Sequence, residues 1–424
     1  MTLPTSPTRA TPMSLRTSAA WTFAGNAVYA AAQWGMVAGL ARMGTPADVG
    51  LITLALALTA PVFLLMGLQL RSVQATDARQ QHPFSSYLRL RLLGMALALV
   101  SCGVLSVVYP EATGALLWLG LAKTFEGISD VLYGLMQRSE RLDWVSGATL
   151  LRGLFGLGFL LVGYRLTHNV AAAAAGLAIA NGLVLLLLDW PRARKLGADA
   201  RAQLTGPALR SLLRVSWPLG LVMGLISLGA ALPRLFVEHM MGQANLGLYG
   251  ALVYIPLAGS VVVNALGTVL TVRLSRAYAS GNVRGFLKLA LQFGVITAGL
   301  GTGLILVAVV AGQPLLRLVY GPVYAHEQAS FVWLAVSGAV GYVAAASGFA
   351  TTAARRFFEQ LPLFVVVTAV LALSGWLLVP RLGLTGAALS ALIGSLVQLV
   401  GSVLIVAHAL RQPVRADALE KPAT

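Results

Sequence analysis

Long apolar runs follow one another along most of the chain, and short polar segments separate them. A helix that crosses the hydrocarbon core of a bilayer needs about 20 mostly apolar residues. Twelve runs of about that length cover residues 18–41, 47–69, 88–109, 112–136, 145–163, 170–189, 215–238, 246–271, 289–311, 328–351, 361–379 and 384–408. Because these runs are continuous rather than alternating, they favour helices over a membrane barrel. The pattern predicts an all-α integral membrane protein with about twelve transmembrane helices.

The composition agrees with a chain that has lipid as its solvent. Of the 424 residues, 58% are apolar and only 10% are charged, whereas soluble domains carry about 25% charged residues. The single cysteine, Cys102, excludes a disulfide framework. The sequence contains neither a phosphate-binding loop nor a dinucleotide-binding glycine motif. The five histidines form no metal-ligand spacing or catalytic triad.

The distribution of basic residues predicts the orientation. If the N-terminus is inside, 24 of the 30 Lys and Arg lie on the inside, including Arg91 and Arg152, and four lie outside. The four are Arg42, Arg165, Arg317 and Arg381. This asymmetry matches the positive-inside rule, so the net charge of +16 is assigned to orientation and not to nucleic-acid binding. Both termini are predicted to be cytoplasmic, with the first span a retained anchor.

The two halves of the chain resemble each other. Val49-Gly50-Leu51 at the start of the second span matches Leu246-Gly247-Leu248 at the start of the eighth, and a proline follows each. Two six-helix bundles of the same orientation form a parallel repeat, as in secondary transporters with a site between the halves. The predicted segments are a cytoplasmic tail 1–17, a bundle 18–189, a basic linker 190–214, a bundle 215–408 and a cytoplasmic tail 409–424.

The fourth span carries a stripe of polar residues. Lys123, Glu126, Asp130 and Gln137 are spaced so that they share one helical face. A charge in hydrocarbon costs at least about 2.5–3.5 kcal/mol, so these side chains are expected to face a cavity or a partner. One interpretation is a cavity lining in which Lys123 binds an anion and Glu126 and Asp130 carry a coupling proton or sodium ion. The alternative is a Lys123–Glu126 pair that only fixes packing.

The seventh span contains a second charged pattern. Arg234 and Glu238 are four residues apart, so they share a face and could pair. Pro233 removes a backbone hydrogen bond and could break the helix beside these charges. Arg234 is therefore a candidate contact for an anion and Glu238 a candidate coupling acid. Alternatively, Arg234 extends to the nearby interface.

Uncharged polar residues form a weaker set of candidates. Asn26, Tyr29 and Gln33 share one face of the first span, and Asn264 lies within the eighth. Asn26, Gln33 and Asn264 could bind a sugar, or each could bond to a neighbouring helix.

Several segments resemble a known family. They are GLARMG at 39–44, DVGL at 48–51, KTFEGISD at 123–130 and LGLYG at 246–250. The chain resembles bacterial lipopolysaccharide biosynthesis proteins, the O-antigen and exopolysaccharide flippases of the polysaccharide transporter family. This family belongs to the multidrug/oligosaccharidyl-lipid/polysaccharide exporter superfamily.

The resemblance implies two bundles around a cationic central cavity in the bacterial inner membrane. It implies a polyprenyl-diphosphate-linked oligosaccharide as substrate, moved from the cytoplasmic to the periplasmic leaflet. Counter-movement of protons or sodium ions would drive this transport, and no other cofactor is expected. The expected partners are the lipid bilayer and the lipid-linked substrate, and the sequence leaves open whether polymerase and other export components join them.

Three other functions would each need a different feature of the chain. A multidrug antiporter of the same superfamily would carry small cations and need a net acidic cavity. A membrane ligase or polymerase would need a large periplasmic loop with catalytic His and Arg, and no predicted outside loop is long enough. A non-transporting scaffold would not explain charges at the middle of a span.

Overall fold

The computed structural model describes residues 15–77, 82–198, 206–354 and 356–411. The two predicted tails, 1–17 and 409–424, lie largely outside these residues, as does the middle of the predicted linker. Every regular element in the described part of the chain is helical. The predicted all-α fold class is therefore confirmed.

The first half of the chain contains eight helices. They are α1 (Leu15–Met43), α2 (Pro46–Gly67), α3 (Leu70–Thr76), α4 (Phe84–Val108), α5 (Thr113–Arg138), α6 (Leu142–Thr167), α7 (Val170–Val184) and α8 (Trp190–Lys195). A wider helical turn, Leu185–Asp189, joins α7 to α8, and a 3₁₀ turn, Pro110–Ala112, precedes α5.

The second half consists of longer helices. They are α9 (Gly206–Met241), α10 (Gln243–Ala279), α11 (Val283–Val319), α12 (Gln328–Ala353) and α13 (Phe357–Arg411). A 3₁₀ turn, Pro322–Glu327, precedes α12. Helix α13 consists of two helical segments joined at a kink, where Gly383 has φ 60° and ψ −135°. Only glycine adopts this conformation readily.

Nine helices of the described chain are long and apolar enough to cross a membrane. Helices α1 and α5 are not among the nine, although they have 29 and 26 residues, and α13 counts once despite its kink. The chain is thus a multi-pass membrane protein, and the total of twelve spans stays a prediction.

The two halves pack by the same scheme. Helix α1 packs on α6, α5 on α7 and α4 on α5, and in the second half α9 packs on α13, α12 on α13 and α11 on α12. These corresponding contacts are the ones that the predicted parallel repeat requires. The residue bounds of the two predicted bundles stay a prediction.

Helix α2 forms most of the interface between the halves, because it packs against both α9 and α10. Its start is fixed by a capping box in which Thr45 and Asp48 bond each other's backbone N–H groups. Near this start, α2 crosses α10 so closely that a Cβ on Gly50 would overlap the Gln243 carbonyl oxygen, and one on Gly247 would overlap that of Pro46. Glycine at both positions permits this backbone contact.

The same end of the bundle carries further contacts between the halves, and we call it the sealed end. The Arg42 guanidinium, at the end of α1, donates hydrogen bonds to the carbonyl oxygens of Arg317, Leu318 and Val319 at the end of α11. These are carbonyls of the last turn of a helix, which lack partners within the helix. Trp34 Nε1 also donates to the Tyr320 hydroxyl, at 2.8 Å.

The close crossing predicts that Gly247→Ala weakens the sealed end. The added methyl group meets backbone atoms that cannot move aside, so we expect a lower midpoint of thermal unfolding for the purified protein in detergent. Gly303→Ala is the matched control, since a Cβ there has open space around it, and alanine favours a helix by about 1 kcal/mol over glycine. Equal midpoints for the two variants would contradict the crossing.

Candidate functional site

A cavity of about 520 Å³ lies between α2, α3, α4 and α5 in the first half. We call it the N-half cavity. Its charged lining consists of Arg71, Arg91, Lys123, Glu126 and Asp130. Three cations and two carboxylates leave one net positive charge. The lining also includes Gln137, so the structure brings the whole predicted stripe of the fourth span to one cavity.

Lys123 and Glu126 form the predicted pair, with 2.7 Å between Lys123 Nζ and Glu126 Oε2. The other carboxylate oxygen, Glu126 Oε1, accepts a hydrogen bond from the Tyr29 hydroxyl at 3.0 Å. Gln33 Nε2 in turn donates to the Tyr29 oxygen at 2.9 Å. Gln33 of α1 is therefore connected to Lys123 of α5 through Tyr29 and Glu126.

Asp130 is held by two arginines. Arg91 NH2 lies 2.8 Å from Asp130 Oδ2, and Arg71 NH1 lies 3.6 Å from Oδ1. Assigning Arg91 to an inside loop was wrong, because its side chain is 5% exposed within α4. The charge of Asp130 favours burial of Arg91 two turns into that helix.

Arg152 forms a second buried ion pair, with Asp189. Arg152 NH2 lies 3.0 Å from Asp189 Oδ2, and the side chains are 4% and 0% exposed. Arg152 also donates to Ser129 Oγ at 2.6 Å, and the Tyr133 hydroxyl donates to Asp189 Oδ2 at 3.2 Å. Counting Arg152 among the basic residues on the inside did not predict this buried pair. This network joins α5, α6 and the turn after α7.

A second cavity, of about 390 Å³, lies among α9, α10, α12 and α13. We call it the C-half cavity. Its lining is mostly aliphatic and small, and it includes Arg234 and Asn264. Pro233 does not break the helix, since α9 runs through it to Met241. Within the described chain no ion pair joins Arg234 to Glu238, so their predicted pairing was wrong.

Besides Gln33, which lines neither cavity, two predicted site residues lie away from them. Glu238 lies near the sealed end, where it interacts electrostatically with Glu111 of the turn before α5. Asn26 has an exposed side chain on α1 and is absent from the linings of both cavities. The structure thus groups Lys123, Glu126 and Asp130 in one half and Arg234 and Asn264 in the other.

The two groups are coupled electrostatically through Tyr254 of α10. Lys123 and Arg234 both interact electrostatically with the Tyr254 hydroxyl on that helix. A cation in each cavity, with hydrogen-bonding groups beside it, is suited to an anion. In a region of low dielectric such contacts are stronger than in water.

Sequence patterns missed Arg91, Arg152 and Asp189 as residues of the site region. Asp189 ends a run of four leucines at 185–188, which was a signal for a buried acid. A buried acid needs a cation nearby, but its position in the sequence does not show which helix supplies that cation.

The chain is similar in sequence to proteins of polysaccharide biosynthesis. The sequence profile of the polysaccharide biosynthesis proteins matches residues 15–277. The chain is 24% identical over 369 residues to the capsular polysaccharide biosynthesis protein CapF of Staphylococcus aureus, covering 85% of this chain and 91% of that protein.

Solved structures with the same fold are transporters. The lipid II flippase MurJ, in an inward closed conformation, has a TM-score of 0.70 at 12% identity, covering 93% of this chain and 91% of MurJ. A MOP superfamily transporter from Pyrococcus furiosus, described as having a binding pocket of reverse polarity, has a TM-score of 0.66 at 15% identity, with 97% and 98% covered. These likenesses show the fold.

The buried pair predicts a large cost for removing one partner. Arg152→Met leaves Asp189 without a cation in a dry site, so we expect a loss of about 3–5 kcal/mol in the free energy of unfolding. Arg152→Met with Asp189→Leu removes both charges and is expected to recover most of this loss. Denaturant unfolding in detergent measures both variants, and a double variant no more stable than the single one would contradict the pairing.

Proposed function

Because the chain belongs to the polysaccharide biosynthesis protein family, we propose that it is a flippase for lipid-linked oligosaccharides. It moves polyprenyl (undecaprenyl)-diphosphate-linked repeat units from the cytoplasmic to the periplasmic leaflet of a bacterial inner membrane by alternating access. The product is used in O-antigen or exopolysaccharide biosynthesis. The cations of the two cavities carry this proposal.

The cations lie at successive depths. With the N-terminus cytoplasmic, α2 ends and α4 begins on the cytoplasmic side, so Arg71 and Arg91 are closest to the cytoplasm. Helix α5 begins at Thr113 on the periplasmic side. A rise of about 1.5 Å per residue puts Lys123 roughly 15 Å from that end. The same rise puts Arg234 about 10 Å from the end of α9. A diphosphate crossing the membrane would meet a basic side chain at each stage.

The state of the molecule fits a carrier that faces the cytoplasm. Under the positive-inside orientation, the sealed end is periplasmic. The N-half cavity includes Gln69, Arg71 and Ser72, which lie at the opposite end. A substrate could therefore enter from the cytoplasm, and breaking the contacts of the sealed end would expose it to the periplasm.

We place ion coupling on Glu126 and Asp130. Each carboxylate is bonded to a cation of the N-half cavity, so binding of the diphosphate to those cations competes with the carboxylates. A released carboxylate can take up a proton or sodium ion. Glu238 would contribute from the periplasmic side, since it lies near the sealed end.

The net charge of the cavities disfavours the multidrug alternative. A carrier of organic cations needs an acidic cavity, whereas the N-half cavity has one net positive charge and the C-half cavity adds Arg234.

Deletion of the gene tests the proposed function directly. We expect polyprenyl-diphosphate oligosaccharide of full repeat length to accumulate and surface polysaccharide to be lost, as measured by mass spectrometry of extracted lipids. Loss of polymer without this accumulation, or unjoined repeat units in the periplasm, would point to an enzyme instead.

Removal of the central cations is the second test. Lys123→Ala and Arg234→Ala, each expressed in the deletion strain, are expected to lower surface polysaccharide about tenfold or more, because a charge-assisted hydrogen bond contributes about 1.5–3 kcal/mol. Lys123→Arg and Arg234→Lys should retain part of the activity. Arg284→Ala, an exposed cation outside the cavities, is the matched control. Wild-type polymer in both alanine variants at normal expression would reject the assignment.

A further inference from the structure

The interiors of the two halves differ in a way that the repeat makes visible. Inside the first bundle, the space among Tyr29, Lys123, Glu126, Arg152 and Asn181 is only about 20 Å³, roughly enough for one water molecule. The corresponding region of the second bundle is the C-half cavity of about 390 Å³, in the range of ligand pockets, which begins near 300 Å³.

The repeat accounts for this difference residue by residue. Helices α5 and α12 begin at Thr113 and Gln328, and α6 and α13 begin at Leu142 and Phe357, so both pairs are offset by 215 residues. The offset aligns Lys123 with Gly338, Glu126 with Gly341 and Arg152 with Val367. All three counterparts line the C-half cavity. Where the first bundle has large charged side chains, the second has hydrogen atoms and an isopropyl group.

Four polar side chains of the C-half cavity form no hydrogen bond with another described residue. Asn264 of α10, Ser337 of α12, and Ser395 and Gln398 of α13 all line it. Among the hydrogen bonds of the described residues, none involves these four side chains, and the same holds for the Arg234 guanidinium. The cavity thus presents two amides, two hydroxyls and one cation to whatever occupies it.

The chemistry of this lining selects the occupant. Covering these groups with a hydrocarbon chain would remove their water and give no hydrogen bond in return, at about 1–3 kcal/mol for each group. A pyranose offers hydroxyls that both donate and accept, as amides and serines require. Its C–H faces suit the aliphatic wall and the rings of Tyr249, Tyr342 and Phe364.

We propose that the C-half cavity is the glycan subsite, in which Asn264, Ser395 and Gln398 hydrogen-bond the hydroxyls of a sugar unit. This proposal rests on the proposed function, since it assigns one part of the same lipid-linked substrate. Arg234 lines this cavity, and both Arg234 and Lys123 interact electrostatically with Tyr254 of α10. A sugar in the cavity would therefore be next to a diphosphate held between the two cations.

The test compares two substrates in the same vesicles. The full-length protein is reconstituted into liposomes, and translocation is measured for a fluorescent isoprenoid diphosphate with an attached disaccharide and for the same isoprenoid diphosphate without sugar. For Asn264→Ala and Gln398→Ala we expect a three- to tenfold lower rate with the glycosylated lipid and an unchanged rate with the sugar-free lipid. Lys123→Ala should lower both rates.

Matched controls come from the same helices. Asn245→Ala changes an asparagine of α10 that bonds the Met241 carbonyl, and Gln360→Ala changes a glutamine of α13 that bonds Thr352. Neither lines the cavity, so neither should alter the ratio of the two rates. Ser395→Leu fills the cavity and should also slow the glycosylated lipid selectively.

Each outcome bears on a different proposal. Equal slowing of both lipids by Asn264→Ala and Gln398→Ala, or no slowing of either, would overturn the glycan subsite. If the wild-type protein moves neither lipid, the proposed function itself fails.

Discussion

A charged side chain in the hydrocarbon core must be paired or reach water, and this requirement organises the first half of the molecule. Arg91 of α4 pairs with Asp130 of α5, and Arg152 of α6 pairs with Asp189 after α7. These two ion pairs connect four helices, and the Tyr29–Glu126 hydrogen bond adds α1. Breaking either ion pair would leave a buried arginine without its carboxylate partner. Because Arg152 also donates to Ser129 of α5, these contacts cross-link α1, α4, α5, α6 and the turn after α7.

The contacts between the halves are of another kind. Each ion pair found in the described residues lies within one half. The interface instead uses backbone contact at Gly50 and Gly247, the Trp34–Tyr320 hydrogen bond and the Arg42 guanidinium on carbonyl oxygens. These groups can exchange a protein partner for water when they separate. Separation of the halves, as the proposed alternating access requires, would thus break none of the ion pairs of the described residues.

Patterns within one helix were the most informative part of the sequence. The apolar runs predicted the helical fold, and the spacing of Lys123 and Glu126 predicted their pairing, because i,i+3 neighbours meet on any helix. The same rule failed for Arg234 and Glu238, since Arg234 lines the C-half cavity and Glu238 does not. The partners of Asp130 and the Arg152–Asp189 pair depend on packing between helices, which spacing along one helix cannot show. The C-half cavity forms where large side chains are absent from the lining. A search of the sequence for charged and polar residues therefore does not reveal it.

A repeat whose two copies have the same fold can assign different tasks to them. In the first half, large charged residues fill the space among α1, α5, α6 and α7, and Lys123 and Glu126 also line the N-half cavity. In the second half, Gly338, Gly341 and Val367 leave space at the aligned positions. Changes in the residues around that space would alter which sugar fits, while the ion pairs that hold α4 to α7 stay intact. The proposed flippase would then recognise the diphosphate with Lys123 and Arg234, one cation from each half, and the glycan with the C-half cavity.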